Sequence, residues 1–182
     1  MISDEKLLSI RHELEQSENL KAFILKYHHN QDAEVQYLVT LANWHEIQQE
    51  EDVEHEIILV KRFLNHYRQH SDHRVKHLVI LSHSFSLQYA ADQLTTLQET
   101  EWCNEIIELS QFVDLQDAEL SVAVIDAYWR KAQQLDDKDF FKTEYFYNRM
   151  ILLSQNLSDL ERLRYRIRAE VARILSAMRR KE

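Results

Sequence analysis

Ten histidines all fall within the first 83 residues, and four of them, His66, His70, His73 and His77, recur at helical spacing. His73 and His77 stand four apart, so one helical face can offer both imidazoles to a single zinc ion. A third ligand is harder to supply. Cys103 is the single thiol, and Ser71-Asp72 puts a turn into the middle of the series. Neither H-E-x-x-H nor the Glu-x-x-His of a di-iron bundle occurs. The expectation is a set of solvated and partly packed histidines that titrate near neutrality, with no metal and no cofactor.

Other catalytic devices are missing for a simpler reason. The chain has 0 Gly and 0 Pro in 182 residues, where average usage gives about 13 and about 9. A phosphate-binding loop, a dinucleotide fingerprint and a G-x-S-x-G nucleophile elbow all need glycine. The reading is therefore non-enzymatic.

Charge is unevenly spread. The net charge is −9, yet residues 157–182 hold eight Arg and Lys against four Asp and Glu. Arg162, Arg166 and Arg173 flank an apolar stripe of Leu160, Leu163, Ile167, Val171 and Ile174. Such a helix either caps the fold, its arginines pairing with the acidic body, or docks an acidic partner or a nucleic-acid phosphate track. The acidic remainder weighs against broad nucleic-acid binding. Trp44, Trp102, Trp129 and the aromatic stretch 140–147 read mainly as core, with a remainder available for a partner or a second copy of the chain.

The elements that must position these groups read as helices. Tight hairpin turns favour Gly, so a chain without Gly or Pro is most easily built from helices joined by Asp, Asn and Ser. Helical apolar spacing predicts segments at 3–15, 17–27, 33–49, 52–69, 73–93, 95–112, 117–134, 138–155 and 158–178. Ser17 and Ser71-Asp72 are expected N-caps, Asn30-Gln31-Asp32 and Asp136-Asp137 turns, Asp114 and Asp117 the start of the helix at 117–134, and Thr95/Gln98 and Ser158/Glu161 capping boxes. The β-branched runs at 56–60, 77–82 and 120–125 could also be buried strands. They continue into long helix-forming segments with no Gly or Pro to bound them, so helix is preferred. The fold class expected is all-α, with eight or nine helices in antiparallel hairpins.

These hairpins repeat. Asp32–His45, DAEVQYLVTLANWH, returns forty residues later as Asp72–Phe85, DHRVKHLVILSHSF, and a weaker copy opens at Asp117. Phe23-x-x-x-Tyr27 and Phe63-x-x-x-Tyr67 precede the first two copies. A recurrence of this length marks stacked supersecondary units. Residues 1–182 then form one domain: an N-terminal hairpin over 1–31, three repeats over 32–155 and a basic capping helix over 156–182.

Leu38-x-x-Leu41-Ala42-x-x-His45 and Leu78-x-x-Leu81-Ser82-x-x-Phe85 have the spacing of the first helix of a tetratricopeptide repeat, and the chain resembles that family and related α-solenoids. The third copy departs from the pattern, with Asp126 where a small residue belongs. The resemblance implies a right-handed α-solenoid with a groove lined by the first helices. Gln36, Val39, Asn43 and Glu46 fall at the groove positions of the first unit. Lys76, Val79, His83 and Ser86 do so in the second, and Ala123, Ala127 and Arg130 in the third. Asn43, Lys76, His83 and Arg130 would suit a peptide backbone or carboxylate. The function so implied is a scaffold that binds another protein or peptide, as adaptor, chaperone or regulatory sensor. One cysteine, no apolar run near ~20 residues and an acidic amino-terminal segment predict a cytoplasmic chain without membrane contact.

Overall fold

The structure is a computed structural model that describes residues 2–89, 94–135 and 140–179. Among the described residues there are nine helices and no strand. They are α1 (Asp4–Glu15), α2 (Leu20–Tyr27), α3 (Ala33–Gln48), α4 (Val53–Tyr67), α5 (His73–Tyr89), α6 (Thr96–Leu109), α7 (Ala118–Gln134), α8 (Phe140–Leu153) and α9 (Asp159–Arg179). Short 3-10 turns at Ser110–Phe112 and Ser154–Asn156 close α6 and α8. All three β-branched runs lie inside helices, in α4, α5 and α7. The Asp136-Asp137 turn and the end expected for α5 at 90–93 lie outside the described residues.

Side-chain caps start several of the helices. Asp32 accepts from Glu34 N, Asp52 from Glu54 N and His55 N, and Asp117 from Leu120 N. Thr95 and Gln98 make a complete capping box. One expectation fails: Asn19, not Ser17, caps α2, accepting from Ala22 N at 3.0 Å. Ser17 is still bound to the end of α1, its N–H donating to Leu14 O.

Helix ends show how the chain does without glycine. No described residue has positive φ. Gln16 and Gln49 end α1 and α3 in right-handed geometry, each N–H donating to the carbonyl four residues back. The next N–H closes a tighter three-residue turn, Ser17 to Leu14 O and Glu50 to Ile47 O. Asp and Asn thus act at helix starts, not as left-handed caps at helix ends.

The chain divides into two compact units, Met1–Ser82 and His83–Glu182, where the sequence reads as one array. In the first, α1, α2 and α3 enclose Ile10, Leu14, Leu20, Phe23, Val35, Leu38, Val39 and Ala42. The forty-residue recurrence here is a recurrence of bonds. Phe23 and Tyr27 rings sit 4.9 Å apart at 52°, and Phe63 and Tyr67 rings 4.7 Å apart at 50°. Asn30 N donates to Tyr27 O and His70 N to Tyr67 O, both at 2.9 Å. Asp32 N then donates to Asn30 Oδ1, and Asp72 N to His70 Nδ1. Asn and His differ in chemistry but offer the same acceptor at the same place.

The two copies also touch. Arg74 and Glu34 occupy equivalent positions, and they form a two-pronged ion pair, both N···O distances 2.9 Å. Arg74 also binds Asp72 and lies 4.3 Å from the Tyr37 ring centre. Guanidinium planarity makes both contacts possible at once. Ala42 and Ser82, the small residues of the repeat pattern, are wholly buried.

In the second unit, α6 packs on α7, α7 on α8 and α8 on α9. Ile106, Leu120, Val124, Ile125, Tyr147 and Met150 are buried there. Asp126, which breaks the repeat pattern, has a structural reason. Its carboxylate lies 3.8 Å from Arg168 of α9, whose guanidinium also covers the Trp129 ring at 4.1 Å. A small residue there would leave α9 without this anchor. Burial pushes the Asp126 carboxyl above its ordinary value, and Arg168 opposes the shift.

Candidate functional site

Four repeat-derived groove positions come together in the first unit. Gln36, Val39, Asn43 and Glu46 fall on one face of α3 and line a cleft of about 340 Å³. Ile24 and His28 close it from α2, and Leu59, Arg62, Phe63, His66 and Tyr67 from α4. The spacing of the α3 residues, steps of three and four, is what puts them in one row.

The cleft is polar on one wall and apolar on its floor. Asn43 Nδ2 donates to Val39 O at 2.8 Å and to the Tyr67 hydroxyl at 3.2 Å. Those bonds hold the amide across the α3–α4 gap and fix its orientation. Thr40 Oγ1 donates to Gln36 O at 2.8 Å, the same back-bonding one step away. Burial raises the Tyr67 phenol above its ordinary value, so it remains protonated at neutral pH. Glu46 is 19% exposed and lies 3.6 Å from Lys21 Nζ. Arg62, His28 and His66 are exposed around the rim. Val39, Phe63 and Ile47 are buried beneath. Such a site can seat one apolar side chain and bind backbone amides or a carboxylate beside it.

The other groove expectations end elsewhere. Lys76 is half-buried on α5 and takes part in interactions of its own. His83 is not a groove residue: it is 0% exposed, with Nε2 2.8 Å from the Glu105 carboxylate and its ring 5.4 Å from Trp102. Val79, Ser86, Ala123 and Ala127 are likewise buried, so no partner reaches them. Arg130 is committed within the second unit. Its guanidinium binds Glu99 and donates to Leu87 O at 2.8 Å.

The histidine series does not converge. His73 is exposed on its helix and lies 3.8 Å from Asp72. Among the described residues no three His, Cys, Asp or Glu groups could hold a metal ion. Cys103 is buried in the second unit, and burial pushes its thiol up to about 12. A thiol so protonated is a poor nucleophile.

The C-terminal arginines are largely engaged. Arg162 binds Asp159 in its own helix, and Arg173 reaches Glu144 of α8 at 3.2 Å and Glu170 at 2.8 Å. Arg166 is exposed and has no ion pair among the described residues. Phosphate binding would have to displace most of these carboxylates. No described helix is long and apolar enough to cross a membrane.

Sequence reasoning missed Arg62 and His66 in the α4 wall of the cleft. An antiparallel hairpin sets α4 beside α3, but spacing does not tell which of its polar residues border the gap. Compared with known proteins, the chain matches no family, no curated protein and no solved structure.

Proposed function

We propose that the chain is a non-enzymatic scaffold of the tetratricopeptide-like, right-handed α-solenoid kind, which binds a segment of another protein in the α2–α3–α4 cleft. The supporting observation is the meeting of Gln36, Val39, Asn43 and Glu46 in one cleft. These residues were singled out by repeat register alone. The Glu34–Arg74 rung between equivalent positions adds support for stacked repeats.

The binding segment presents an apolar side chain to the half-buried Ile24 and Leu59, with its backbone or an acidic group against Asn43 and Arg62. Adaptor, chaperone or sensor roles all use such a rigid surface, in the cytoplasm. Affinity comes from a few anchors rather than from area.

The test is affinity capture from native cells with the wild-type chain and with Asn43→Ala/Arg62→Glu as baits, at matched helix content. A retained protein that is lost at least tenfold on the variant is the expected result. Equal retention of every captured protein on both baits refutes the cleft as the binding surface.

A further inference from the structure

Helix α9 carries two apolar faces. Tyr165 and Ala169 are buried on the side toward the rest of the second unit. The opposite side holds Leu160, Leu163, Ile167, Val171, Ile174 and Met178, exposed by 79, 54, 53, 50, 54 and 61%. These six recur eleven residues apart in pairs, 160 with 171, 163 with 174 and 167 with 178. An eleven-residue period is close to the natural pitch of an α-helix, so the stripe stays on one side for its whole length. It runs about 27 Å at 1.5 Å per residue. Half-exposed side chains of this size leave about 600 Å² of apolar surface on one helix, the size at which a patch marks an interaction site.

The occupant can be argued from the pattern itself. The stripe is nearly its own reverse: an antiparallel second copy sets Leu163 against Ile174, Ile167 against Val171 and Leu160 against Met178. The flank follows the same rule. Arg166, exposed and without an ion pair among the described residues, comes opposite Glu170 of the second copy, whose carboxylate would be shared with Arg173 of its own helix, and the two-fold axis makes that pair twice. Two copies bury about 1,200 Å² together, the low end of a specific interface. An anionic bilayer suits the stripe less well, because Asp159, Glu161 and Glu170 interrupt the basic flank.

We infer that the outer face of α9 is a self-association surface, on which a second copy of this chain pairs antiparallel through Leu163, Ile167, Val171 and Ile174, with Arg166 and Glu170 exchanged across the two-fold axis. The surface and the α2–α3–α4 cleft have no residue in common, so either can fail alone.

Sedimentation of the full chain from about 1 to 100 μM, the range in which interfaces of this size dissociate, tests it. The wild type is expected to move from monomer to dimer. Ile167→Glu buries a charge at the centre and should weaken the dimer roughly thirtyfold or more. Arg166→Glu places like charges opposite each other twice and should weaken it about tenfold. Combining it with Glu170→Arg restores the pairing and should recover the dimer. If Ile167→Glu loses helix signal, the charge pair alone decides. A wild type that stays monomeric throughout overturns the proposal, whether or not it binds anionic vesicles. So does a dimer indifferent to Ile167→Glu, or a double charge reversal that recovers nothing.

Discussion

Helices α3 and α9 dispose of their apolar residues in opposite ways. On α3, Val35, Leu38, Val39, Ala42, Trp44 and Ile47 are buried around most of its circumference. Several of its polar residues are tied down, as Asn43 is by Val39 O and Tyr67. Among the described side chains of α9 only Tyr165 and Ala169 are buried, while six large apolar ones face outward. The count of apolar residues therefore does not tell which helix holds the fold. Ala42 on α3 and Ala169 on α9 are wholly buried and stand on the packed faces.

Truncation in the two helices separates them most clearly. Ile47→Ala removes a side chain only 1% exposed and should cost about 2–5 kcal/mol in urea unfolding. A loss below about 1 kcal/mol would place Ile47 outside the core and undo the contrast. At the other end of the scale, Leu160→Ser on α9 should change stability by less than about 0.5 kcal/mol at concentrations where the chain is monomeric. A larger loss would mean that this face is already covered within one chain.

Between these lies the rung joining the two repeat copies. Arg74→Lys keeps the charge but loses the forked contact to Glu34 and the cover over Tyr37. Both carboxylates are partly screened by water, so the expected cost is about 1 kcal/mol. The same rung sets an acid dependence. Hydrogen bonds from Arg74 hold Glu34 and Asp72 below their ordinary values of 4.5 and 3.8. Their folded forms bind protons less readily than the unfolded chain. The stabilisation is thus fully present above those ordinary values and is lost as pH falls through the lowered ones. Acid titration of stability should show this loss in the wild type and a shallower one in Arg74→Ala, followed by circular dichroism.

Much of this was legible before any coordinates. The absence of Gly and Pro, the helical spacing and the recurrence of DAEV as DHRV specify helices, their caps and a duplicated unit. One wall of the candidate cleft was also legible, because register places Gln36, Val39, Asn43 and Glu46 on one row. What register cannot supply is the neighbour on the other side of that row. His83 has the same place in its repeat as Asn43, yet Glu105 and Trp102 of α6 enclose it. Arg130 is drawn to Glu99 and Leu87 O for the same reason. On α9 spacing alone leaves open whether the apolar stripe packs or docks; it faces outward, and Tyr165 and Ala169 are packed instead. Short-range spacing encodes which residues share a face. Which face is covered depends on long-range partners that no local window contains.

The lack of any glycine reaches beyond helix ends. Every position carries a Cβ, so the denatured chain wanders through fewer backbone states than one with glycine at its ordinary share, although the missing prolines act the other way. Freezing it costs less entropy, by roughly 0.5–1 kcal/mol wherever alanine stands in a helix in place of glycine. A polypeptide of this make-up draws part of its durability from what its disordered form is forbidden to visit.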